Sequence, residues 1–361
     1  MMMSDKSKQH VDSCRFCWMC HHICPIGNAT GHERSTPRAR ALGISLVNRG
    51  AMELEEIMDN IYECAGCGGC VRECVTGWDP VMFTREVRLQ AALEDKLPAY
   101  INTLVDNCLE KGNAYGKTVL CDKLASAIAD HASPTDTLLW LGADARYMAC
   151  EQAYKAIKVL EKAGVSFTVL ADEPSSGAQI DFLIGAAEET REQMTAAAKV
   201  MNGYQTVVLY DPADAKTVKQ TYGEHGIELS AKAVTWTAYL AELVESGALK
   251  ADGKIGAVVY QDPFQLARDL GETEEAREVI SAFAELHEFH LNRAETVWAG
   301  NILMAQYMPE VMKLVAERRI FNATSIGEST IVTASVSEYV SLKAVAQDKV
   351  TIISLEDLIL G

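Results

Sequence analysis

An α+β multi-domain protein is what this sequence predicts: an N-terminal all-helical domain, then a duplicated α/β domain with parallel sheets. Three observations predict it. Eight of the 11 cysteines fall within residues 14–74, in two runs of identical spacing. From residue 136 onward, short apolar runs alternate with helical patterns, the signature of strands and helices in turn. The two halves of that later region also match each other at offsets of 123 or 124 residues, as in GYQTVVLYDPAD (203–214) against GESTIVTASVSE (327–338).

The cysteine runs are Cys14-x2-Cys17-x2-Cys20-x3-Cys24 and Cys64-x2-Cys67-x2-Cys70-x3-Cys74. Each has the spacing that wraps a [4Fe–4S] cubane, with three thiolates on a tight loop and the fourth reaching the other cluster. The expectation is two [4Fe–4S] clusters, one on Cys14, Cys17, Cys20 and Cys74, the other on Cys64, Cys67, Cys70 and Cys24. Two zinc sites or a disulfide framework are the alternatives. Zinc needs only two CxxC pairs per site and leaves the third CxxC step unexplained.

Between the runs, 29–63 reads as helical, with Leu42, Leu46 and Val47 and then Leu54, Ile57, Met58 and Ile61 at helical spacing. Glu53, Glu55, Glu56 and Asp59 read as a solvated face. Residues 81–94 form another amphipathic helix, closing a helical dicluster ferredoxin domain over 1–100 whose folding depends on its metal. Residues 101–135 read as a helical connector. Repeat 1 spans 136–250 and repeat 2 spans 251–361. TLLWL (137–141), SFTVL (166–170) and QTVVLY (205–210) suit strands covered on both faces, as do GAVVY (256–260), EFHL (288–291), STIVT (329–333) and VTIIS (350–354). Helices are expected at 264–285, 302–319 and 336–347.

The chain of 361 residues carries a net charge of −17. That balance argues against nucleic acid and anionic membrane as partners and is compatible with docking to a basic patch on a redox partner, although simple solubility is the commoner reason for such a charge. No apolar run is long enough to span a membrane, and no signal peptide is visible. Cysteines concentrated in metal-type motifs point to a reducing, cytoplasmic setting. There is no Rossmann fingerprint or P-loop, so flavin or nucleotide binding by this chain is not expected.

CRFCWMCHHICPIGNATGHERSTPRARAL and YECAGCGGCVRECVTGWDPVMFTREVR resemble the iron–sulfur subunits that join a helical dicluster domain to two Cys-Cys-Gly repeats. That family includes the D subunit of heterodisulfide reductase, the iron–sulfur subunit of glycolate oxidase and the C subunit of anaerobic glycerol-3-phosphate dehydrogenase. EKAGVSFTVLADE, YQDPFQLAR, LNRAETVWAG and AERRI echo its C-terminal half. The resemblance implies anaerobic electron transport in a hetero-oligomeric oxidoreductase complex. It also implies a flavoprotein partner, either an FAD-dependent dehydrogenase or an electron-transfer flavoprotein, and a further redox subunit as acceptor. The departures are systematic. Where the family has Cys-Cys before Gly, this chain has Ser175 and Ser176 before Gly177, and Trp298 and Ala299 before Gly300. Its Cys-Pro-x-Cys positions hold Asp211, Pro212, Ala213 and Asp214, and Ser335 to Glu338. Its His-Asp-Pro-Cys-His reads Gln261 to Gln265. Every thiolate the resemblance implies in the repeats is replaced, and Val75 stands where Pro is common.

Several other residues could carry chemistry. Asp211, Asp214 and Glu338 could form a carboxylate cation site, although an Asp-Pro-x-Asp segment after a strand suits helix capping better. Cys108, Cys121 and Cys150 lack ligand spacing and read as inert packing. His10, His21 and His22 flank the first run as loop residues able to tune a cluster. Trp298 would fill the space of a lost cluster. The leading expectation is a non-catalytic electron-transfer subunit relaying single electrons through two clusters. A catalytic heterodisulfide- or quinone-reductase-like subunit and a structural assembly subunit are the alternatives.

Overall fold

The computed structural model describes residues 3–251 and 253–361. Its N-terminal part is helical, and each main helix starts where short polar residues or proline predict. Asp5–Val11 is capped by Ser4, whose hydroxyl accepts from the Ser7 N–H. Pro37–Asn48 has Thr36 as its cap, and Pro80–Leu93 has Asp79, which accepts from Val81 N at 3.0 Å and Met82 N at 2.9 Å. Ile44, Ile61, Tyr62, Phe83, Val87 and Ile101 bury their side chains together. Leu42 is not among them. It is 61% exposed, and the helix instead buries Ala41 and Ile44. The expected helical stretch 29–63 is interrupted, with a 3₁₀ turn at Leu54–Ile57 leading into Met58–Tyr62.

Two parallel sheets follow. The first contains β1 (Thr137–Trp140), β2 (Thr206–Leu209) and β3 (Lys232–Thr235), in the order β1-β2-β3. The second contains β4 (Ala257–Gln261), β5 (Glu285–Glu288), β6 (Thr330–Thr333) and β7 (Thr351–Ser354), in the order β5-β4-β6-β7. Thr168 bridges Leu138 on the outer side of β1, where the second sheet has β5 beside β4. With that bridge counted, the two sheets share one strand order.

The strand expected at 166–170 is therefore a single bridge, since Val169 N turns away to bond His131 O. The strand expected at 288–291 ends at Glu288, and Phe289 leaves the ladder to pack under the Arg319 guanidinium, 3.4 Å from its ring centre. β3 has no counterpart among the expected strands: its sequence KAVT is short, and its first residue is exposed. The helix expected over 264–285 is a π turn, Gln265–Asp269, then Glu275–Phe283, separated at Gly271 (φ 69°). Pro309 splits the helix expected over 302–319 into Ile302–Ala305 and Pro309–Ser325, because it has no N–H to continue the ladder.

The helical part lies against both sheets. Helix Pro25–Thr30 packs on helix Pro309–Ser325. Tyr62 Oη donates to Leu183 O at 2.7 Å, and Tyr307 Oη donates to Tyr62 O at 3.0 Å. Arg85 pairs with buried Asp181 at 2.7 Å. No helix of the described residues is long and apolar enough to cross a membrane.

Candidate iron–sulfur centres

The second cysteine run makes the loop that joins Met58–Tyr62 to the short helix Gly69–Arg72. Gly66 (φ 65°) and Gly68 (φ 71°) take its two left-handed positions, which a residue with a Cβ enters only at a cost of roughly 1–2 kcal/mol. The loop closes a small cavity lined by Cys64, Cys67 and Cys70. Cys24, the last cysteine of the first run, lines the same cavity from the start of helix Pro25–Thr30. Two backbone groups point at these sulfurs: Gly66 N–H to Cys64 Sγ and Gly27 N–H to Cys24 Sγ, both at 3.4 Å.

The first run is built on the same plan but on the outside. Cys20 is buried, Cys14 is half-buried and Cys17 is exposed. Phe16 N–H points at Cys14 Sγ at 3.4 Å. Cys14, Cys20 and Cys74 pack against one apolar cluster, and Cys74 Sγ lies 3.2 Å from Thr76 Oγ1. Here the two left-handed positions are held by Phe16 (φ 56°) and Trp18 (φ 69°). Arg38 stacks over both rings, 5.6 and 3.9 Å from their centres.

As free thiols, Cys20, Cys24, Cys67 and Cys70 resist ionisation. Burial pushes Cys20 up to about 11, reinforced by Cys14, Cys24 and Cys17. Burial also pushes Cys67 up to about 11 against the pull of Arg268, and Cys24 upward against the pull of Arg40. Cys70 rises through burial and the crowding of Cys67, Cys64 and Cys24. Cys74 alone ends lowered. Its burial is outweighed by the Thr76 hydroxyl and by backbone groups of Thr76, Trp78 and Gly77. Four thiolates in one small cavity need a positive centre, and soft sulfur donors suit iron. The residues present therefore fit an iron–sulfur cluster. Among the described residues, no three His, Cys, Asp or Glu side chains converge as they would on a single metal ion.

Two arginines beside this cavity have no signature in the sequence. Arg40 is fully buried and donates to Ser35 O at 3.0 and 3.2 Å. Burial pulls its pKa down, but Cys64, Cys24 and Cys70 together outweigh that and leave it raised. Arg268 reaches across from the second sheet region to donate to Cys67 O and to Ala294 O, both at 2.7 Å, and also to Thr296 O. Cys24, Ile26, Ala65, Phe264, Trp298, Met304, Met312 and Val315 form one apolar cluster. Trp298, at a position where the resemblance implies cysteine, thus belongs to the same apolar cluster as Cys24.

The replaced positions of the first repeat border a neighbouring cavity of about 100 Å³, lined by Ser175, Ser176, Asp211 and Asp214 with Gln265 and Trp298 among others, and Ala65 is shared between it and the second cysteine site. Asp211 caps helix Pro212–Lys216, accepting from Ala213 N at 2.7 Å, as the capping reading expects. Its other oxygen has no hydrogen-bond partner among the described residues. Burial, reinforced by Asp144, pushes it up to about 7. Asp214 accepts from the Ser176 hydroxyl and is raised by burial and by Asp211. Glu338 does not join them. It accepts from Gln261 Nε2 and Ala299 N–H, both at 3.0 Å, and burial pushes it up to about 8. A shared Asp211–Asp214–Glu338 cation site is therefore not formed. Cys121 and Cys150 are joined in a disulfide, so the inert-packing reading holds for Cys108 alone. A separation of 29 residues carries no pairing signal in the sequence. His21 and His22 lie near Glu33 (3.6 Å) and Glu73 (3.8 Å).

A family model described as a 4Fe-4S dicluster domain matches residues 10–78. The chain is 25% identical over 364 residues to the D subunit of the dihydromethanophenazine:CoB–CoM heterodisulfide reductase of Methanosarcina acetivorans, with 87% of this chain and 83% of that protein covered. It is 24% identical over 347 residues to the corresponding protein of Methanosarcina barkeri, at the same coverage. An iron–sulfur protein of Methanocaldococcus jannaschii is 23% identical over 327 residues, covering 87% of this chain and 64% of that protein. The chain fits the family of iron–sulfur subunits that contains the D subunit of heterodisulfide reductase.

Proposed function

We propose that this chain is an electron-relaying subunit that holds two [4Fe–4S] clusters and passes single electrons between a flavoprotein partner and a further acceptor. The first cluster would be held by Cys14, Cys17, Cys20 and Cys74, the second by Cys64, Cys67, Cys70 and Cys24. The observation that carries this reading is the single cavity lined by Cys24 together with Cys64, Cys67 and Cys70. Bound clusters would supply one-electron redox chemistry across a wide range of potentials. The chain's own residues do the rest. Backbone N–H groups at Phe16, Gly27 and Gly66 point at the sulfurs, which favours the reduced, more negative state. Arg40 and Arg268 place positive charge beside the second site, and the apolar cluster around Cys24 keeps water from it. The Methanosarcina relatives are parts of a reductase, so we infer that this chain works in a cytoplasmic hetero-oligomer. A permanent contact of that kind buries on the order of 2,000 Å² or more.

The domain divisions at 100, 135 and 250 belong to the same proposal. So does the absence of iron from 136–361, where serine, aspartate, tryptophan and alanine stand at the implied thiolate positions. Iron analysis with EPR of the reduced protein tests the reading. About 8 Fe per chain is expected. Cys24→Ser should remove the cluster held by the second run and leave the first. Loss of the first instead, or distinctly more than 8 Fe, defeats the assignment. Burial of the second site between the helical part and the second sheet favours one other reading, a structural subunit whose clusters only hold the fold. That reading requires that neither cluster be reducible within the range of roughly −700 to +450 mV open to such clusters.

A further inference from the structure

We propose that the cavity lined by Trp140, Asp211 and Asp214, at the carboxyl ends of β1 and β2, binds a small organic ammonium ion that also carries a hydroxyl or carbonyl oxygen. The site uses none of the eight cysteines of the relay reading and stands or falls apart from it.

The first sheet puts this cavity where its strand order reverses. From β1 the chain crosses to Thr168 on one side and later to β2 on the other. Open parallel sheets hold ligands in the crevice outside such a pair of strand ends. Gly142 and Asp144 follow β1, Asp211 and Asp214 follow β2, and all four line the cavity. Its volume of about 100 Å³ is several times what one water needs, so it admits a molecule of a few heavy atoms.

Two buried polar atoms on its lining residues have no partner among the described residues. Asp211 is 4% exposed; one of its oxygens caps the following helix and the other accepts nothing. Trp140 is fully buried, and its indole N–H donates to nothing. Native proteins leave few such groups unanswered. A ligand with an N–H donor for Asp211 and an acceptor oxygen for Trp140 answers both.

Charge fixes the sign of the ligand. The cavity is lined by four acids, Asp144, Glu173, Asp211 and Asp214, against two bases, exposed Lys111 and Arg146. Arg146 is engaged with Leu170 O at 2.9 Å and Ala171 O at 2.6 Å. Asp144 accepts from Tyr115, Gln179 and Ser337, and Glu173 from the Leu141 and Gly142 N–H groups. Asp211 and Asp214 form no salt bridge among the described residues, and burial with neighbouring acids pushes both upward. The second repeat solves the same problem internally. Glu338 stands where the first repeat has Asp214, and buried Arg319, which donates to Gln261, draws Glu338 down against its burial. The first repeat leaves that role to a cation from outside. A metal ion fits less well, because no three ligating side chains of the described residues converge on one point. Phe182, Phe264 and Trp298 also line the cavity, and aromatic rings favour an organic cation.

Isothermal titration of the full-length, cluster-loaded protein with ethanolamine tests this. One site with Kd below about 1 mM is expected, within reach of a ligand of this size. Asp211→Asn keeps a capping oxygen but removes the charge, and should weaken binding at least roughly tenfold, the scale of a lost hydrogen bond to a charged group. Ser175→Leu leaves every carboxylate in place and fills the cavity, so it should weaken binding as much and keeps the test open if Asp211→Asn does not fold. Tetramethylammonium, which has neither N–H nor oxygen, should bind at least roughly tenfold more weakly than ethanolamine. Ethylamine, which lacks only the oxygen, should fall between them. The proposal is overturned if ethanolamine does not bind wild type, in which case the cavity holds water alone. It is also overturned if both variants bind like wild type, if tetramethylammonium matches ethanolamine, or if calcium binds the site more tightly than ethanolamine does.

Discussion

The two cysteine loops share a spacing and differ in almost everything around it. The second turns on Gly66 and Gly68, shares an apolar cluster with Phe264 and Trp298, and is clamped by Arg268 from another part of the chain. The first turns on Phe16 and Trp18, leaves Cys17 exposed and, among the described residues, is covered on its rim by Arg38. One motif therefore serves two physical roles. A buried site excludes water, shares in the tertiary core and fixes how the helical part meets the sheets. The open site packs Cys14, Cys20 and Cys74 against the core of the helical part but leaves Cys17 where it can be approached from outside.

The largest effect should separate the two sites by stability. Cys70→Ser should lower the thermal midpoint far more than Cys17→Ser, because metal binding at the second site is coupled to the apolar cluster joining the two parts of the molecule. Calorimetry of both variants decides it, and equal losses would erase the distinction between the sites. Next comes Trp298→Ala, which empties the space beside Cys24 and should cost about 3–5 kcal/mol by urea denaturation. The same truncation at exposed Trp18 should cost almost nothing, and a comparable cost would mean that the first site is packed after all.

A third effect tests whether charge or packing supports the cavity beside the second site. Asp211 keeps its proton in the folded protein up to about pH 7, but loses it near 4 in the unfolded chain. The folded state therefore holds an extra proton between those values, and this contribution to stability declines as pH rises through about 7. Asp211→Asn retains a capping oxygen and cannot ionise. It should be more stable than wild type by about 1–3 kcal/mol at pH 8.5, with the gap closing by pH 4. A gap independent of pH would exclude the buried charge as its cause. Iron content should not change in this variant. The smallest effect is F16G/W18G. Relief of two left-handed residues, offset by the greater freedom of glycine when unfolded, should stabilise the loop by about 1 kcal/mol. Hydrogen exchange at Cys14 to Cys20 reads this directly, and faster exchange would contradict the strain argument.

Much of the fold is legible in the sequence because its signals are local. Apolar runs mark β1, β2, β4, β6 and β7, and Pro37, Asp79 and Pro80 mark helix starts. The misreadings also have local causes. Phe289 reads as strand because it is apolar, although it packs below Arg319 just beyond the end of β5. Leu42 reads as part of a buried face because its spacing allows it, although that side of the helix has nothing to pack against.

For the candidate site, the sequence by itself proposes eight cysteines as the cluster ligands and shows that the repeats have none of the implied thiolates. Both follow from residue type and from spacing along one loop, which backbone geometry holds fixed. It could not determine which loop is buried. That depends on what Phe264, Arg268 and Trp298, about 200 or more residues away along the chain, bring to Cys24 and Cys67. Nor could it place Arg40 against the second site, or pair Cys121 with Cys150. Burial and long-range pairing depend on how separate elements pack, and that was decided only when the helical part closed onto the second sheet.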